Sequence, residues 1–254
     1  MNPTLRYLYE NHHGKVSDKW SIYLDEYQRL LHSFQDKPVC LLEIGIQNGG
    51  SLEIWNKYFP NARNIVGCDI DAKCAALSYP DSSIKVVIGD ICSDATAQAV
   101  LTVCNGPIDI VIDDGSHTSE DIITTFFKIF GHLNDGGIYI AEDLHCSYWP
   151  AFQGGLHHPH SSISFFKRLI DITNFEHWEE DMTRCNYISE LIPINSSYEE
   201  LLSTIHSVEF INSLCIIKKR PYNLNTLGPR VISGNDEAVQ HVKEKTGEVS
   251  TPQK

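Results

Sequence analysis

Two short stretches decide the fold, IDIVIDDGSH at residues 108–117 and IYIAEDLH at residues 138–145. In each, an apolar run typical of a strand ends directly in acidic residues, with a histidine close behind. If the two runs are neighbouring parallel strands, their carboxyl ends meet at one edge of the sheet, where open α/β folds bind ligands. Carboxylates this close repel one another unless a cation or a proton joins them. The two stretches therefore predict a site for a hard divalent metal ion beside a titratable base.

The chain repeats this strand–helix pattern from residue 39 onward. Apolar runs predict strands at residues 39–44, 64–68, 84–88, 108–112 and 138–141, the last entered through a turn at residues 134–137. Helical spacing predicts helices at residues 51–59, 71–77, 93–104 and 119–133. Such alternation predicts an α/β fold with a Rossmann-like, doubly wound, mostly parallel sheet. Two further runs around a tight turn, residues 208–211 and 214–218, predict a C-terminal antiparallel hairpin strand.

The chain divides into three predicted segments. Residues 1–36 form an N-terminal helical segment rich in aromatic residues, residues 37–220 form the α/β domain, and residues 221–254 form a polar C-terminal tail. The composition of the tail is typical of a mobile chain end. Two interpretations of the N-terminal segment stay open, namely a helix that packs over the sheet edge and a lid over the ligand crevice.

The formal net charge of −13 opposes binding to nucleic acid or to anionic membranes. The basic cluster Lys218-Lys219-Arg220 is too small to make a strong patch. No apolar stretch approaches the roughly 20 residues needed to cross a bilayer, and the first residues lack the features of a secretory signal. We therefore expect a cytoplasmic protein without nucleic-acid or membrane partners.

Eight cysteines are spread along the chain. Cys40, Cys68 and Cys215 lie inside apolar runs, and the sequence contains no Cys-x-x-Cys pair. This distribution favours buried thiols in a reducing compartment over a disulfide framework or a zinc site.

The turn EIGIQNGGS, at residues 43–51, joins the first predicted strand to the first helix. Glycines there permit positive φ and let a ligand approach the backbone closely, although many such turns are purely structural. Asp69 ends the second strand, where an acid either accepts hydrogen bonds from ribose hydroxyls or serves as a turn residue. Asp90 ends the third strand, where it can accept a hydrogen bond from an adenine amino group.

The chemistry of this turn favours S-adenosylmethionine over a dinucleotide. The glycines do not follow Gly-x-Gly-x-x-Gly spacing, and no basic residue near the turn could compensate a pyrophosphate. Glu43 would oppose a phosphate but would suit a ligand that carries an ammonium or sulfonium group.

These motifs follow one another in the order of a known family. The chain resembles the class I S-adenosylmethionine-dependent methyltransferases in Glu43-x-Gly-x-x-x-Gly49, Asp69, Gly89-Asp90, Asp109-x-Val-x-x-Asp114 and Leu133-x-x-Gly-Gly137. More narrowly, it is similar to the metal-dependent macrolide-sugar O-methyltransferases of the mycinamicin VI and demethylmacrocin type in DDGSH at residues 113–117, EDLH at residues 142–145, and Tyr148-Trp149. The resemblance covers residues 37–220. It departs from the pattern at Gln47-Asn48, where many class I enzymes have a glycine.

The resemblance implies an S-adenosylmethionine- and Mg²⁺-dependent O-methyltransferase that acts on a hydroxyl of a small molecule, with a sugar of a natural product or glycan as the acceptor. It also suggests a homo-oligomer. The implied metal ligands are Asp114, Glu142 and Asp143, and the implied catalytic residues are Asp114 and the general base His117. The implied cofactor-binding residues are Glu43, Gly45, Gly49, Ser51, Asp69, Asp90 and Asp113. Candidate substrate contacts are His145, Tyr148 and Trp149.

The donor chemistry supports this metal independently. Mg²⁺ prefers octahedral oxygen ligands and keeps open positions for water or substrate, and carboxylates at two strand ends supply such ligands. The absence of a cysteine pair argues against zinc. A bound ion lowers the pKa of a coordinated hydroxyl, and histidine titrates near neutral pH, so His117 could accept the proton.

Other interpretations stay open. Asp113 or Asp114 could cap the next helix, and His117 could be an exposed residue at its start. The loop GGLHHPH, at residues 154–160, is interpreted as a polar border of the acceptor pocket rather than a transition-metal site, because no carboxylate adjoins its histidines. For the whole chain, the alternatives are a cephalosporin-hydroxylase-like enzyme on a similar domain and a non-catalytic cofactor-binding subunit.

Overall fold

A computed structural model describes residues 3–194 and 196–250 of the chain. The strands are β1 Cys40–Ile44, β2 Asn64–Asp69, β3 Ile84–Ile88, β4 Ile108–Asp113, β5 Leu133–Ala141, β6 Ile205–Ile211 and β7 Leu214–Lys219. They form one sheet in the order β3-β2-β1-β4-β5-β7-β6. The ends of two predicted segments, residues 1–2 and 251–254, lie outside the described residues.

The sheet is parallel from β3 through β5 and antiparallel at its other edge. Strand β1 pairs with both β2 and β4, so the direction of winding reverses at this point. Such a switch point opens a crevice outside the carboxyl ends of the strands, where α/β folds bind ligands. Strand β7 runs antiparallel to both β5 and β6. The predicted Rossmann-like fold with a C-terminal antiparallel hairpin is confirmed.

Helices cover both faces of the sheet. The α-helices are α1 Leu5–Glu10, α2 Ser21–Leu31, α3 Gly50–Tyr58, α4 Asp94–Cys104, α5 Ser119–Ile129, α6 Ser162–Ile172, α7 Arg184–Ser189 and α8 Glu199–Ser203. Helices α1–α3 contribute to the apolar core on one face, and α4–α8 contribute to the core on the other. Successive strand residues point into opposite cores, as Leu41 and Leu42 do, so both faces are buried as expected of a parallel sheet between helices.

Helix α5 fixes the loop that carries DDGSH. Its first turn contains Glu120 and Asp121, whose negative charges favour a helix N-terminus. Ile122 and Phe126 recur at helical spacing and are buried against the sheet. Burying a side chain of this size contributes roughly 1.5–3 kcal/mol. The loop between β4 and α5 is therefore held at both ends beside the crevice.

The structure differs from the sequence prediction between α5 and β5. Leu133, predicted at the end of a helix, begins β5, and residues 134–137 form an irregular part of that strand instead of a separate turn. The β4–β5 register shifts here from Ile108 opposite Leu133 to Ile110 opposite Ile138. Gly136 has φ +81°, a conformation that favours glycine.

Two other local predictions were incomplete. Residues 71–77 form a short 3₁₀ helix, Ala72–Ala76, instead of an α-helix. Helices α6–α8 were not predicted, because they follow one another without intervening strands and so break the strand–helix alternation. The division of the chain into three segments stays a prediction.

The N-terminal segment packs on the sheet and also reaches its carboxyl edge. Tyr23 and Tyr27 of α2 are fully buried in the core that α3 shares. Residues 11–20, between α1 and α2, form no regular helix or strand. Five of them, residues 16–20, line the crevice at the strand ends.

All eight cysteine thiols are free, and only Cys92 is not fully buried. This agrees with the prediction that they serve as small apolar side chains. Over residues 3–194 and 196–250, no helix is both long and apolar enough to cross a membrane.

Candidate active site

A crevice of about 760 Å³ lies at the carboxyl ends of β1–β5. Most of the predicted site residues line it, namely Glu43, Gly45, Ser51, Asp69, Asp90, Asp113, Asp114, His117, Glu142 and Asp143. The predicted residues Gly49, His145, Tyr148 and Trp149 are not among its lining residues. The structure thus brings the nucleotide-type turn and both acidic stretches together.

The turn after β1 requires glycine at two positions. Gly45 has φ +82°, and a Cβ there would lie 2.0 Å from the carbonyl oxygen of Asp114. Gly49 has φ +74°, and a Cβ there would lie 2.0 Å from the hydroxyl of Tyr79. The first glycine lets the end of β1 approach the acidic loop after β4. Gln47, part of the departure from the family pattern, also has a positive φ of 48°.

Asp69 shapes this turn with its carboxylate. Its Oδ2 accepts hydrogen bonds from the backbone N–H groups of Ile46 (2.9 Å) and Gln47 (2.8 Å). Its Oδ1 accepts from the N–H of Asp71 at 2.8 Å. These contacts are those of a residue that stabilises a turn, one of the two roles offered by the sequence. Ribose binding stays a prediction, which the remaining lone pairs of the carboxylate permit.

Three carboxylates, two of them buried and one half-buried, converge on one lysine that the sequence analysis did not identify. Lys19 Nζ donates to Asp114, lies 2.9 Å from Glu142 Oε1, and lies 3.5 Å from Glu43 Oε1. Its side chain is only 3% exposed. The cation that the clustered acids require is thus supplied by the chain itself.

The electrostatics of this cluster still favour more positive charge. Burial raises the pKa of Glu142 to about 8 despite the opposing effect of Lys19, and burial likewise raises the pKa of Glu43 and of Asp114. Burial alone would lower the pKa of Lys19, but Glu142, Asp114 and Glu43 together hold it well above its usual value. One ammonium therefore does not fully offset the burial of these carboxylates, so either a proton or a further cation would stabilise them.

A second set of donors holds the acidic residues after β5. Asp143 Oδ1 accepts hydrogen bonds from Trp20 Nε1 at 3.0 Å and from the Tyr23 hydroxyl at 2.9 Å. The Tyr27 hydroxyl donates to Glu142. All three donors lie in α2 or at the residue just before it. Sequence reasoning identified these aromatic residues but not their contacts.

The side chains of Asp114, His117 and Asp143 could hold a metal ion, since one ligand atom from each lies within 4.8 Å of the others. His117 Nε2 is 3.7 Å from Asp143 Oδ2. Of the three predicted ligands, Asp114 and Asp143 belong to this group, while Glu142 lies beside it with its oxygens engaged by Lys19 and Tyr27. The predicted ligand set and the role of His117 stay predictions.

Asp113 is separate from this group. Its carboxylate is buried and accepts a hydrogen bond from the Tyr139 hydroxyl at 2.6 Å. Burial raises its pKa to about 7, although the Tyr139 hydrogen bond opposes the shift. Asp113 therefore supports the end of β4 through its hydrogen bond with Tyr139 and also lines the crevice. Its contact with the cofactor stays a prediction.

We expect Asp113→Asn to become more stable relative to the parent as pH rises from 5 to 8. Because the folded-state pKa lies above the usual aspartate value of 3.8, the acid form favours folding below about pH 4, and this contribution is lost as pH rises through about 7. The relative gain should be on the order of 2–3 kcal/mol. Chemical unfolding of the parent and the variant in EDTA, at pH 5 and at pH 8, measures this difference in the free energy of unfolding. The exposed Asp94→Asn is the control, and an equal difference from the parent at both pH values would contradict the prediction.

A cluster of aromatic rings adjoins Trp20, which lines the crevice. The His145 ring contacts Trp20 and Trp149 edge to face, with centroids 5.8 and 5.1 Å apart. Its Nδ1 lies 2.6 Å from the hydroxyl of Ser213. Trp149 and Tyr148 are 49% and 40% exposed, which leaves ring faces free to pack against a sugar.

The histidine loop forms no metal group in the described part of the chain. His160 Nδ1 lies 2.5 Å from the carbonyl oxygen of Leu191, and its ring lies 6.0 Å from that of His158. These contacts agree with the interpretation of residues 154–160 as a polar loop.

The fold and the site define a class, namely a Rossmann-like methyltransferase fold with an acidic edge suited to a metal ion. The chain is 41% identical over 169 residues to 8-demethyl-8-alpha-L-rhamnosyl tetracenomycin-C 2'-O-methyltransferase of Streptomyces olivaceus, a match that covers 63% of this chain and 43% of the relative. It is 35% identical to demethylmacrocin O-methyltransferase of Streptomyces fradiae, over 66% of this chain and 45% of that protein. It is also 35% identical to mycinamicin VI 2''-O-methyltransferase of Micromonospora griseorubida, over 62% of this chain and 41% of that protein.

The solved structure of MycE methyltransferase from the mycinamycin biosynthetic pathway, in complex with Mg, SAH and mycinamycin VI, superposes with a TM-score of 0.71 at 25% identity. The superposition covers 87% of this chain and 55% of MycE. No profile of a protein family matches the chain. The predicted resemblance is confirmed, because the chain is homologous to sugar O-methyltransferases of natural-product pathways. The chain matches less than half the length of these curated relatives.

Proposed function

We propose that this protein is an S-adenosylmethionine- and Mg²⁺-dependent O-methyltransferase that acts on a sugar hydroxyl of a small molecule. The observation that carries the proposal is the convergence of Asp114, Asp143 and His117 within 4.8 Å, beside a glycine turn at the switch point of the sheet. The names of the relatives support both the reaction and the sugar acceptor.

The residues on the cofactor side of the crevice fit S-adenosylmethionine. Glu43 is fully buried, and its Oε1 has no hydrogen-bond partner among the described residues. This oxygen lies 3.5 Å from Lys19 Nζ without accepting a hydrogen bond from it. A buried carboxylate oxygen that lacks a hydrogen bond is costly, so it suits the positive charge of this cofactor. Asp69 and Asp90 line the crevice at the ends of β2 and β3, where they could accept from ribose and adenine.

The residues on the other side fit Mg²⁺, because their donors are carboxylate oxygens at two adjacent strand ends. Asp114, Asp143 and Glu142 would hold the ion. When bound, it would lower the pKa of the acceptor hydroxyl. This is the ligand set that the resemblance implies.

His117 would take the proton from that hydroxyl. Its Nε2 lies 3.7 Å from Asp143 Oδ2, so the ring lies beside the proposed metal ligands. The side chain is 24% exposed at the crevice, so an acceptor can approach it. The deprotonated oxygen would then form a bond to the cofactor methyl carbon as the carbon–sulfur bond breaks and S-adenosylhomocysteine leaves, and most of the rate should come from positioning.

The acceptor should bind over the aromatic cluster. The His145 ring contacts the rings of both Trp20 and Trp149, and exposed aromatic faces pack against the apolar faces of sugar rings. This arrangement supports a glycosylated acceptor.

Self-association stays a prediction, which light scattering would test.

Calorimetric titration with S-adenosylhomocysteine (SAH) tests the proposal first. We expect saturable binding at one site, and methyl transfer from labelled S-adenosylmethionine to rhamnosylated acceptors in Mg²⁺ but not in EDTA. Absence of SAH binding both in Mg²⁺ and in EDTA would overturn the proposal. Binding without transfer to any glycosylated acceptor would instead favour a non-catalytic cofactor-binding subunit.

Asp69→Asn should weaken SAH binding by about 10- to 100-fold, the cost of one or two charge-assisted hydrogen bonds. The asparagine amide has one oxygen that accepts hydrogen bonds and one nitrogen that only donates them. It therefore cannot accept from all three backbone N–H groups, so we expect the turn after β1 to loosen and the ribose contact to be lost as well. Calorimetry measures the change. The control is Asp94→Asn, an exposed aspartate outside the crevice, and equal affinity in the two variants would speak against a cofactor role for Asp69.

A further inference from the structure

A lysine from the N-terminal segment occupies the centre of the acidic cluster. Lys19 Nζ lies 2.9 Å from Glu142 Oε1 and 3.0 Å from Glu142 Oε2, and it donates to Asp114. These are carboxylate oxygens that the proposed metal site would use. The lysine therefore contacts oxygens of two of the three predicted metal ligands.

The residues next to Lys19 contact the remaining acid. Trp20 donates to Asp143 Oδ1, as does Tyr23 one turn into α2. Trp20 is nevertheless 58% exposed. The hydrogen bond of Trp20 therefore lies at the surface and can be exchanged for water at small cost.

The segment that carries Lys19 is fixed at both ends and irregular between them. Lys15 Nζ is 2.6 Å from Glu53, and the carbonyl of Val16 accepts from the N–H of Gly50 at 3.1 Å. Helix α2 begins at Ser21. Residues 17–20, here called the latch, thus span a short gap between two attached points and lie over the crevice.

We propose that Lys19 is a tethered cation that competes with the metal ion for Asp114 and Glu142, so that the latch closes over the empty site and opens when the ion binds. The ion and the ammonium would share the same carboxylate oxygens, and two positive charges at that separation repel strongly in a buried site. The flexible four-carbon stem of lysine lets the ammonium leave without unfolding α2. The inference rests on the proposed function for the identity of the ion.

Mn²⁺ titration of the full chain, without cofactor or acceptor, tests the competition. Lys19→Met keeps the length of the side chain and removes its charge, so it should bind Mn²⁺ at least tenfold more tightly than the parent. The matched control is Lys57→Met, which changes an exposed lysine of α3 that does not line the crevice. Its Mn²⁺ affinity should stay within twofold of the parent. Equal or weaker binding by Lys19→Met would overturn the inference.

Hydrogen exchange of the parent tests the latch without any substitution. Amides of residues 17–20 should exchange at least tenfold faster in saturating Mn²⁺ than in EDTA, while those of α2 stay unchanged. Unchanged or slower exchange in the latch would mean that Lys19 stays in place beside the ion, which overturns the inference even if Lys19→Met does not fold.

The outcomes separate this inference from the proposed function. Tighter Mn²⁺ binding by Lys19→Met without methyl transfer by the parent would support the latch and contradict the methyltransferase. Methyl transfer by the parent together with unchanged Mn²⁺ binding by Lys19→Met would support the methyltransferase and contradict the latch.

Discussion

Asp114→Asn should lower methyl transfer by about 10³-fold and abolish Mn²⁺ binding in the micromolar range, since a metal ion contributes several kcal/mol of transition-state stabilisation. Asp114 belongs to the group of ligand atoms within 4.8 Å and is also a partner of Lys19. An amide offers one neutral oxygen in place of a charged carboxylate, which Mg²⁺ and Mn²⁺ bind far less well.

The variant should remain folded, because burial and the neighbouring Asp143 raise the pKa of Asp114 and so already disfavour its charge. Transfer of labelled methyl groups gives the rate, and calorimetry gives the affinity for Mn²⁺. Asp94→Asn makes the same chemical change at an exposed site and should leave both values near those of the parent. Retention of full turnover by Asp114→Asn in EDTA would rule out a metal-dependent reaction.

His117→Asn should lower kcat by about 10²- to 10⁴-fold, the usual loss when a general base is removed. Asparagine is chosen because His117 has φ +59°, a conformation that asparagine tolerates better than alanine. SAH affinity should stay within about threefold of the parent value, since the base contacts the acceptor and not the cofactor.

The Mn²⁺ affinity of His117→Asn distinguishes a base from a ligand. The histidine lies close enough to Asp114 and Asp143 to join the ion, but the resemblance assigns it to the proton. A general base predicts a large fall in kcat with Mn²⁺ affinity within about threefold of the parent. A parallel loss of affinity and rate would identify His117 as a metal ligand instead. His157→Asn, in the polar loop, serves as the control and should change neither value.

The edge of the sheet that carries the site could be predicted from the sequence because strand ends are local features. The apolar runs before Asp113 and Glu142 fix where β4 and β5 end, and parallel pairing then brings the acids together. The glycine turn is equally local, since a backbone with positive φ, as at Gly45, favours glycine in the sequence itself.

The contacts of Lys19 could not be predicted, because 95 and 123 residues separate it from Asp114 and Glu142. The sequence showed that the acids need a cation but not that a lysine of the N-terminal segment supplies one. The same limit applies to Tyr23 and Tyr27, whose hydroxyls reach the acids only through the packing of α2 on the sheet. A periodic pattern predicts that a helix packs, but not which side chains its end presents to a distant crevice.

A crystal of the protein grown with Mn²⁺ and SAH tests the central claim most directly, through the anomalous difference map recorded at the manganese edge. We expect one peak within oxygen-coordination distance of Asp114 and Asp143, with SAH in the crevice between Glu43 and Asp90 and Lys19 moved away from Asp114. A map without a peak at the acidic edge, with SAH bound elsewhere or absent, would contradict the assignment of this edge as a metal-dependent methyl-transfer site.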